Sequence, residues 1–172
     1  MAAALQLLEI IMTLIFCQPA FNLRVREIPD ISKFYSTDSR IWTMNTTVET
    51  KIYCKCDFVN HTYYNYTDFR RTYKLDNETN YNDLRGTFIT MAQPRNNAIF
   101  NAMMVGPQEG GFYTSTEELM EQFANYTCGI FSITYQATLG NFYELRVKQP
   151  ELSNPDKTCL KTFSEMTKYS TN

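Results

Sequence analysis

The sequence predicts an all-β protein, an eight-stranded antiparallel up-and-down barrel with a C-terminal helix packed outside. Seven or eight short segments rich in β-branched and aromatic residues are separated by turn-forming stretches, which is typical of a sandwich or barrel. A helical segment follows the last of them, and no repeat or linker divides the chain of 172 residues. A barrel of eight strands is just wide enough inside to hold one small ligand.

The first 20 residues are expected to form a signal peptide, followed by one barrel domain over residues 21–172. Residues 5–17 form an apolar run that is too short to span a bilayer and has the length of a signal-peptide core. Glu9 interrupts this run and no Lys or Arg precedes it, so a buried N-terminal helix is the alternative. Cleavage near Ala20 would remove Cys17 and leave four cysteines.

The first part of the domain is expected to hold a short helix and five strands. Pro29 and Asp30 are typical of a helix start, and the apolar residues that follow are spaced for one helical turn. The strand-like segments are residues 40–48, 51–59, 63–75, 86–91 and 98–105. The loop between the last two, residues 93–97, contains turn-forming residues.

The C-terminal part carries the clearest hairpin. Residues 130–135 are β-branched and aromatic, and Gly140-Asn141 suits a tight turn. Residues 142–148 then alternate with period two, which indicates a half-buried strand. A helix is expected after residues 154–156, since apolar residues recur there at intervals of three and four.

Charge and composition exclude several classes of function. The formal net charge of −2, without a Lys/Arg block, argues against nucleic-acid binding. The single histidine, His61, lies in a predicted loop and is a poor candidate for a catalytic base. Cys54 and Cys56 lack the second half of a zinc site, and Glu117 with Glu118 is interpreted as a solvated face. We therefore expect no enzymatic activity, no cofactor, no metal and no membrane insertion.

Five N-glycosylation sequons support export from the cell, because this motif is glycosylated in the secretory pathway. All five fall at predicted strand ends or polar connections. The acceptor residues are Asn45, Asn60, Asn65, Asn77 and Asn125.

Two cysteines frame a spaced motif in the C-terminal part of the chain. Cys-Gly-Ile at residues 128–130 is followed by thirteen residues, Glu-Leu-Arg at residues 144–146, twelve residues and Cys159. This spacing resembles that of the tick salivary lipocalins of the histamine-binding-protein type, whose pattern is Cys-Asp-aliphatic, a gap, Glu-Leu-Trp/Tyr, a second gap and Cys. The resemblance extends more weakly over residues 30–169, and within the family the chain is most similar to the japanin-like group.

This resemblance implies a strand and a disulfide. Residues 115–123 match a helix capping box with helix-favouring residues, but the family register places a strand there, and we follow the register. The family spacing also implies a Cys128–Cys159 disulfide that staples the C-terminal helix onto the barrel. The family usually pairs a cysteine of the second strand with one near the C-terminus, and none follows Cys159 here. At least one of Cys54 and Cys56 is therefore expected to be free or intermolecular.

The resemblance also directs attention to the amine-binding signature of that family. Gly129 stands where the family has an Asp, and Arg146 stands where it has an aromatic residue, whereas Glu144 is retained. Glu144 and Arg146 share one face of an alternating strand. If that face lines the cavity, Arg146 neutralises Glu144 and repels an ammonium. If the face points outward, both are surface charges.

Six apolar side chains are candidates to line a pocket together with Glu144 and Arg146. Core filling is the alternative role for each of them. They are Trp42, Phe88, Phe100, Met103, Phe131 and Phe142.

Three functions follow from these observations. The leading hypothesis is a secreted salivary lipocalin that binds a sterol such as cholesterol, or another lipid, and modulates host immune and inflammatory responses, with dendritic cells as the implied target. The second is a scavenger of histamine or serotonin. The third is an immunomodulator that binds a host immune-cell protein and uses the barrel only as a scaffold, with contacts in loops such as residues 106–116.

Overall fold

The structure, a computed structural model, describes residues 27–91 and 99–168. Eight antiparallel strands form a closed barrel in which each strand pairs with its neighbours in the chain and the first pairs with the last. This confirms the predicted fold class. The strands are β1 (Arg40–Thr46), β2 (Tyr53–Thr62), β3 (Tyr66–Leu75), β4 (Glu78–Ile89), β5 (Ala102–Pro107), β6 (Ser115–Phe123), β7 (Cys128–Tyr135) and β8 (Phe142–Lys148). The helices are α1 (Ile31–Phe34), a 3-10 turn (Gln149–Glu151) and α2 (Lys157–Thr167).

Strand β4 is the main difference from the prediction, which placed a strand only at residues 86–91. It runs over 12 residues and pairs with β3 after a tight turn in which Asp76 and Asn77 take positive φ angles of 50° and 67°. Its first half is polar because its outward side chains pair with those of β3. One such pair is Arg70 with Asp83, joined by two hydrogen bonds of 2.7 and 2.9 Å.

Residues 115–123 form β6, as the family register implies. The strand pairs with β5 on one side and β7 on the other, so its backbone groups are bonded along both edges. Ser115, Glu117 and Leu119 alternate into the barrel and are buried. Tertiary pairing has overridden the local helical preference.

One end of the barrel, the closed end, is covered by α1. Asp30 caps this helix by accepting from the backbone N of Ser32 at 3.0 Å, and the N of Ile31 donates to the Phe100 carbonyl at 2.9 Å. Apolar side chains fill the adjoining half of the interior. This core includes Ile31, Phe34, Tyr35, Ile41, Val59, Phe69, Phe88, Met103, Val105, Leu119, Phe131 and Ile133. The opposite end, formed by the β1–β2, β3–β4, β5–β6 and β7–β8 connections, is the open end.

Helix α2 packs outside the barrel, where the Cys128–Cys159 disulfide fixes it to β7. This confirms the predicted pairing. Asp156 caps the helix by accepting from the N of Cys159 at 2.8 Å. Outward residues of β7 and β8 form a second core beneath it, together with Phe163.

Cys54 and Cys56 form no disulfide within the described chain, in keeping with the prediction that at least one is free. Cys54 is exposed, whereas Cys56 is buried and burial raises the pKa of its thiol to about 12. Among residues 27–91 and 99–168, no helix is long and apolar enough to cross a membrane. The predicted signal peptide and the predicted loop at residues 93–97 lie outside the described residues.

Candidate ligand-binding site

A cavity of about 400 Å³ lies at the open end, above the packed half of the barrel. Its apolar and aromatic wall consists of Met44, Val48, Ile52, Tyr53, Tyr73 and Tyr135. Uncharged polar groups complete the wall, namely Thr43, Asn45, Thr46, Thr50, Cys54 and Asn82. Three charged side chains, Lys55, Arg71 and Glu144, form its floor. A cavity with an amphipathic wall and a few polar groups at one end is typical of small-molecule sites.

The floor belongs to a chain of buried ion pairs that we call the interior network. Three cations alternate with three carboxylates across four strands, so their formal charges sum to zero. The order of the network is Lys55, Glu144, Arg146, Glu117, Arg71 and Asp57. Within the described residues, every buried side-chain nitrogen and oxygen has a hydrogen-bond partner. Such complete pairing is what a buried ionic group requires.

Arg146 is the centre of this network, and its side chain is 1% exposed. Its Nε and Nη2 donate to Glu144 Oε2 at 2.9 and 2.6 Å, and its Nη1 donates to Glu117 Oε2 at 2.6 Å. Nη1 also donates to the Tyr35 hydroxyl at 2.5 Å, and the guanidinium stacks over the Phe131 ring, 4.5 Å from its centroid. The face of β8 that carries Glu144 and Arg146 therefore points inward, which settles the choice that the sequence left open.

Arg71 links Glu117 to Asp57, the third carboxylate of the network. Its Nε and Nη2 grip both oxygens of Asp57 at 2.7 and 2.8 Å, and its Nη1 donates to Glu117 at 2.9 Å. Tyr35, carried just after α1, donates to Asp57 at 2.8 Å. The short N-terminal helix is thereby tied to the centre of the barrel, and burial raises the pKa of the Tyr35 hydroxyl.

The pKa values in the network are set by burial and by these partners. Burial alone would raise the pKa of Glu144, but Lys55 and Arg146 more than offset it and lower this pKa to about 2. The pKa of Glu117 is likewise lowered, because Arg146 and Arg71 outweigh its burial. Burial lowers the pKa of the Lys55 ammonium, an effect that Glu144 partly offsets.

The groups at the cavity floor that can still form hydrogen bonds with a ligand are mainly donors. Glu144 already accepts through both oxygens, from Lys55 and from Arg146. An ammonium has three donors, and Lys55 has Glu144 as its one acceptor among the described residues. The Tyr135 hydroxyl stays protonated, since burial and then Glu144 raise its pKa to about 12. The floor can therefore donate to a ligand oxygen more readily than it can accept from a ligand ammonium.

The sequence-predicted site residues do not all lie at the cavity. Glu144 lies at the cavity floor, and Arg146 lies one step deeper in the network. Phe88, Met103 and Phe131 point inward but belong to the packed core at the closed end, with exposures of 4%, 0% and 0%. Alternation along the strands placed these three on the correct face, but it gives no information on depth in the barrel.

Three further predicted residues lie away from the cavity floor. Trp42 pairs with Val147 on the outer face of the barrel, and its indole donates to Gln149 at 3.4 Å. Phe100 packs at the closed end, 6.1 Å from the Phe88 ring. Phe142 lies near the rim of the open end, with its ring 6.0 Å from that of Tyr135.

The absence of a side chain at Gly129 makes room for the Phe34 ring in the core. Gly129 points inward on β7, where an added Cβ would lie 2.7 Å from Phe34 Cε2 and 2.9 Å from Leu119 Cδ1. A side chain here would displace Phe34 of α1. The position at which the resembling family has an Asp is therefore occupied in this chain by an aromatic ring from the N-terminal helix.

Sequence reasoning missed most of the interior network. Glu117 was interpreted as part of a solvated face, which is wrong, because Glu117 is 0% exposed and bonded to two arginines. Lys55 and Asp57 are two residues apart in the second strand and so share one of its faces, but the sequence does not indicate that this face points inward. Among the described residues, no group of three or more His, Cys, Asp or Glu side chains could hold a metal ion.

No family model matches the sequence, and no curated protein matches it. Solved structures do resemble the fold. Japanin from Rhipicephalus appendiculatus, solved bound to cholesterol, has a TM-score of 0.54 at 10% identity, with 78% of this chain and 89% of that chain covered. The siderocalin Ex-FABP, which functions through dual ligand specificities, has a TM-score of 0.55 at 7% identity, with 78% and 85% covered.

A complex of bovine odorant-binding protein with a selenium-containing odorant also matches, with a TM-score of 0.45, 12% identity, and coverage of 80% of this chain and 85% of that chain. Japanin and Ex-FABP are lipocalins. The closed barrel with its outer helix is accordingly a lipocalin fold.

Proposed function

We propose that this chain is a secreted lipocalin whose open-end cavity binds one small amphipathic lipid, with a sterol such as cholesterol as the leading candidate. The observation that carries the proposal is the cavity itself, with an amphipathic wall above a floor that belongs to the charge-balanced interior network. The apolar body of the ligand would lie against Met44, Val48 and Ile52. Its single polar group would accept from Lys55 at the floor or from Tyr135 in the adjoining wall.

Charge balance favours a neutral ligand. The interior network pairs three cations with three carboxylates, so a further charge of either sign would enter without a counter-ion. Burying an unpaired charge is strongly unfavourable. A hydroxyl or carbonyl oxygen needs only a donor, and the floor supplies one.

The same geometry weighs against a histamine or serotonin scavenger, which is the second candidate. An ammonium at the floor would have to share Glu144 with Lys55 and Arg146, whose positive charges would repel it. The tyrosines of the wall, Tyr53, Tyr73 and Tyr135, are what favours an amine, since aromatic faces attract cations.

We also propose export and glycosylation, with a signal peptide over residues 1–20 and the mature domain over residues 21–172. The Cys128–Cys159 disulfide supports an oxidising compartment. Every sequon acceptor is exposed, as glycosylation requires. The acceptors are Asn45, Asn60, Asn65, Asn77 and Asn125. N-terminal sequencing of the exported protein and its mass loss on glycosidase treatment test this; an intact Met1 and no mass loss would contradict it.

From the sequence resemblance we propose that the protein acts in saliva on host immune and inflammatory responses, with dendritic cells as a target. The alternative is a barrel that serves as a scaffold for binding a host immune-cell protein. Native mass spectrometry of the exported protein separates these functions. A co-purified lipid supports the leading proposal, an exchangeable amine supports the scavenger, and an empty barrel in a tight complex with a host protein supports the scaffold.

Titration calorimetry on delipidated protein tests ligand preference. We expect submicromolar binding of cholesterol, and histamine and serotonin weaker by at least about a hundredfold, or roughly 2.7 kcal/mol. A fatty acid tests whether the floor also takes a carboxylate. Cholestene, which lacks the hydroxyl, serves as the matched control and should bind more weakly than cholesterol. Tighter binding of histamine than of cholesterol would refute the proposal.

A further inference from the structure

Two of the most exposed apolar side chains in the described residues lie in two neighbouring loops at the open end. Phe112 in the β5–β6 connection is 92% exposed, and Leu139 in the β7–β8 connection is 101% exposed. The N of Gln136 donates to the Thr114 carbonyl at 3.0 Å, so the two loops leave the barrel together. Phe112 and Leu139 are thus carried by loops that leave the barrel at the same edge of the open end.

Glycines shape the turns at these two tips. Gly110 and Gly111 precede Phe112 with φ angles of +100° and +132°, and Gly140 follows Leu139 with φ of +108°. These angles are readily adopted only by glycine. An added Cβ at Gly110 or Gly140 would meet no atom within 4 Å, so the loops extend into open space.

The apolar surface at these tips is too small for a stable protein partner. A large aromatic side chain offers about 150–250 Å², so Phe112 and the smaller Leu139 together supply at most roughly half of the about 800 Å² per partner of a standard interface. Two side chains on protruding loops do suit shallow entry into the boundary between lipid headgroups and acyl chains.

Charge identifies the kind of lipid surface. The segments around the two tips, residues 108–114 and 136–141, contain Glu109 and no Lys or Arg. Anionic membranes attract basic segments, and none is present here. The other half of the rim carries the sequon residues Asn45 and Asn77, so the apolar half is also the half without glycan acceptors.

The wall of the cavity connects directly with this apolar edge. Tyr135 lines the cavity, and the β7–β8 connection that carries Leu139 begins at the next residue. A lipid that leaves a bilayer at this edge would meet the cavity wall without crossing water.

We propose that Phe112 and Leu139 dock the open end onto a neutral, phosphatidylcholine-type bilayer surface, from which the ligand is taken. The contact is peripheral and involves two side chains, so no segment of the chain spans the membrane. The transfer of ligand rests on the proposed function, whereas the docking is a separate property that needs no ligand.

Fluorescence of an introduced tryptophan tests the docking. In a Trp42→Phe background, which removes the single native tryptophan, Leu139→Trp places an indole at the proposed contact. Tyr64→Trp is the matched control, because Tyr64 is 88% exposed at the closed end. With phosphatidylcholine vesicles, we expect a blue shift and quenching by brominated lipid for Leu139→Trp and neither for Tyr64→Trp.

Vesicle flotation of the otherwise unmodified chain supplies an independent readout. The Phe112→Ser/Leu139→Ser variant should partition onto phosphatidylcholine vesicles at least tenfold more weakly than the wild type, and Tyr64→Ser should not change partitioning. Adding phosphatidylserine should not strengthen binding of the wild type. Cholesterol titrated from cyclodextrin should bind the wild type and the double variant equally.

Several results would overturn the proposal. These are no shift for Leu139→Trp at millimolar lipid, equal shifts at both ends, or a dimer in solution that Phe112→Ser/Leu139→Ser dissociates, which would make a second copy the partner. Vesicle binding without cholesterol binding would refute the proposed ligand and leave the docking intact. Cholesterol binding without vesicle binding would refute the docking and leave the proposed ligand intact.

Discussion

Replacing Arg146 with Met should destabilise the fold by about 3–5 kcal/mol, the usual effect of removing one partner from a buried ion pair. Arg146 is 1% exposed and donates to Glu144, Glu117 and Tyr35. Its loss would leave three carboxylates with two cations, Lys55 and Arg71. Methionine retains a long, flexible and apolar side chain, so most of the effect should come from the uncompensated charge.

A second substitution tests that explanation. Adding Glu144→Gln to Arg146→Met removes the surplus negative charge, so the double variant should be more stable than the sum of the single changes predicts. Residues in one network usually show a coupling of about 0.5–3 kcal/mol. Arg70→Met is the matched control, because Arg70 makes a two-bond pair with Asp83 on the solvent-exposed face and such pairs contribute little.

Urea denaturation followed by far-ultraviolet circular dichroism gives the free energy of unfolding for each variant by linear extrapolation. We expect the free energy of unfolding of Arg70→Met to be close to that of the wild type and that of Arg146→Met to be clearly lower. The loss in the double variant should be smaller than the sum of the losses in Arg146→Met and Glu144→Gln. If the free energy of unfolding of Arg146→Met lies within about 1 kcal/mol of the wild-type value, the interior network does not stabilise the barrel as described. Strict additivity would show that Arg146 and Glu144 do not act as a pair.

Two further predictions concern the same interior. Gly129→Asp should lower the free energy of unfolding by about 1–3 kcal/mol from overpacking alone, because its Cβ would meet Phe34 at 2.7 Å. An unchanged free energy of unfolding in urea would mean that Phe34 does not fill this space. Acid should also destabilise the protein, because the pKa of Glu144 is about 2 in the folded chain against an ordinary 4.5. The unfolded chain therefore binds this proton first, so a contribution on the order of 3 kcal/mol is present above about pH 4.5 and is lost towards pH 2. Glu144→Gln should flatten the dependence of unfolding free energy on pH in that window, and an unaltered slope would contradict this assignment.

The outline of the fold could be predicted because it depends on local signals. Strand β8 was placed at residues 142–148, its observed bounds, because alternation and a Gly-Asn turn mark it clearly. Strand β4 was largely missed, since its first half satisfies polar side chains against β3 and shows little apolar alternation. The turn at Asp76 and Asn77 was the signal that was available.

The interior network could not be predicted because its partners are distant in the sequence. Arg71 and Glu117 are 46 residues apart, and Arg146 and Glu117 are 29 apart. An inward charged residue and a solvated one produce the same alternation within a single strand. The two differ only once the register of all eight strands brings opposite charges together.

The depth of each aromatic residue in the barrel was equally beyond sequence reasoning. Phe131 and Phe88 have the correct inward parity, yet they lie in the packed core. Phe34 from α1 helps to fill this half of the interior, in space that is open because Gly129 has no side chain. The room for a ligand is therefore limited to the open end, where the wall is formed by residues such as Met44 and Tyr73 that the sequence did not single out.

The reactivity of Cys54 tests most directly whether ligand binds in the open-end cavity. Cys54 lines that cavity and is exposed, whereas the buried thiol of Cys56 has a pKa raised to about 12 and should react slowly. The rate of maleimide labelling, localised by peptide mass spectrometry, should fall at least tenfold when delipidated protein is saturated with cholesterol. Histamine at the same concentration should leave the rate unchanged. Cholesterol that binds tightly without protecting Cys54 would place the ligand elsewhere and contradict the account.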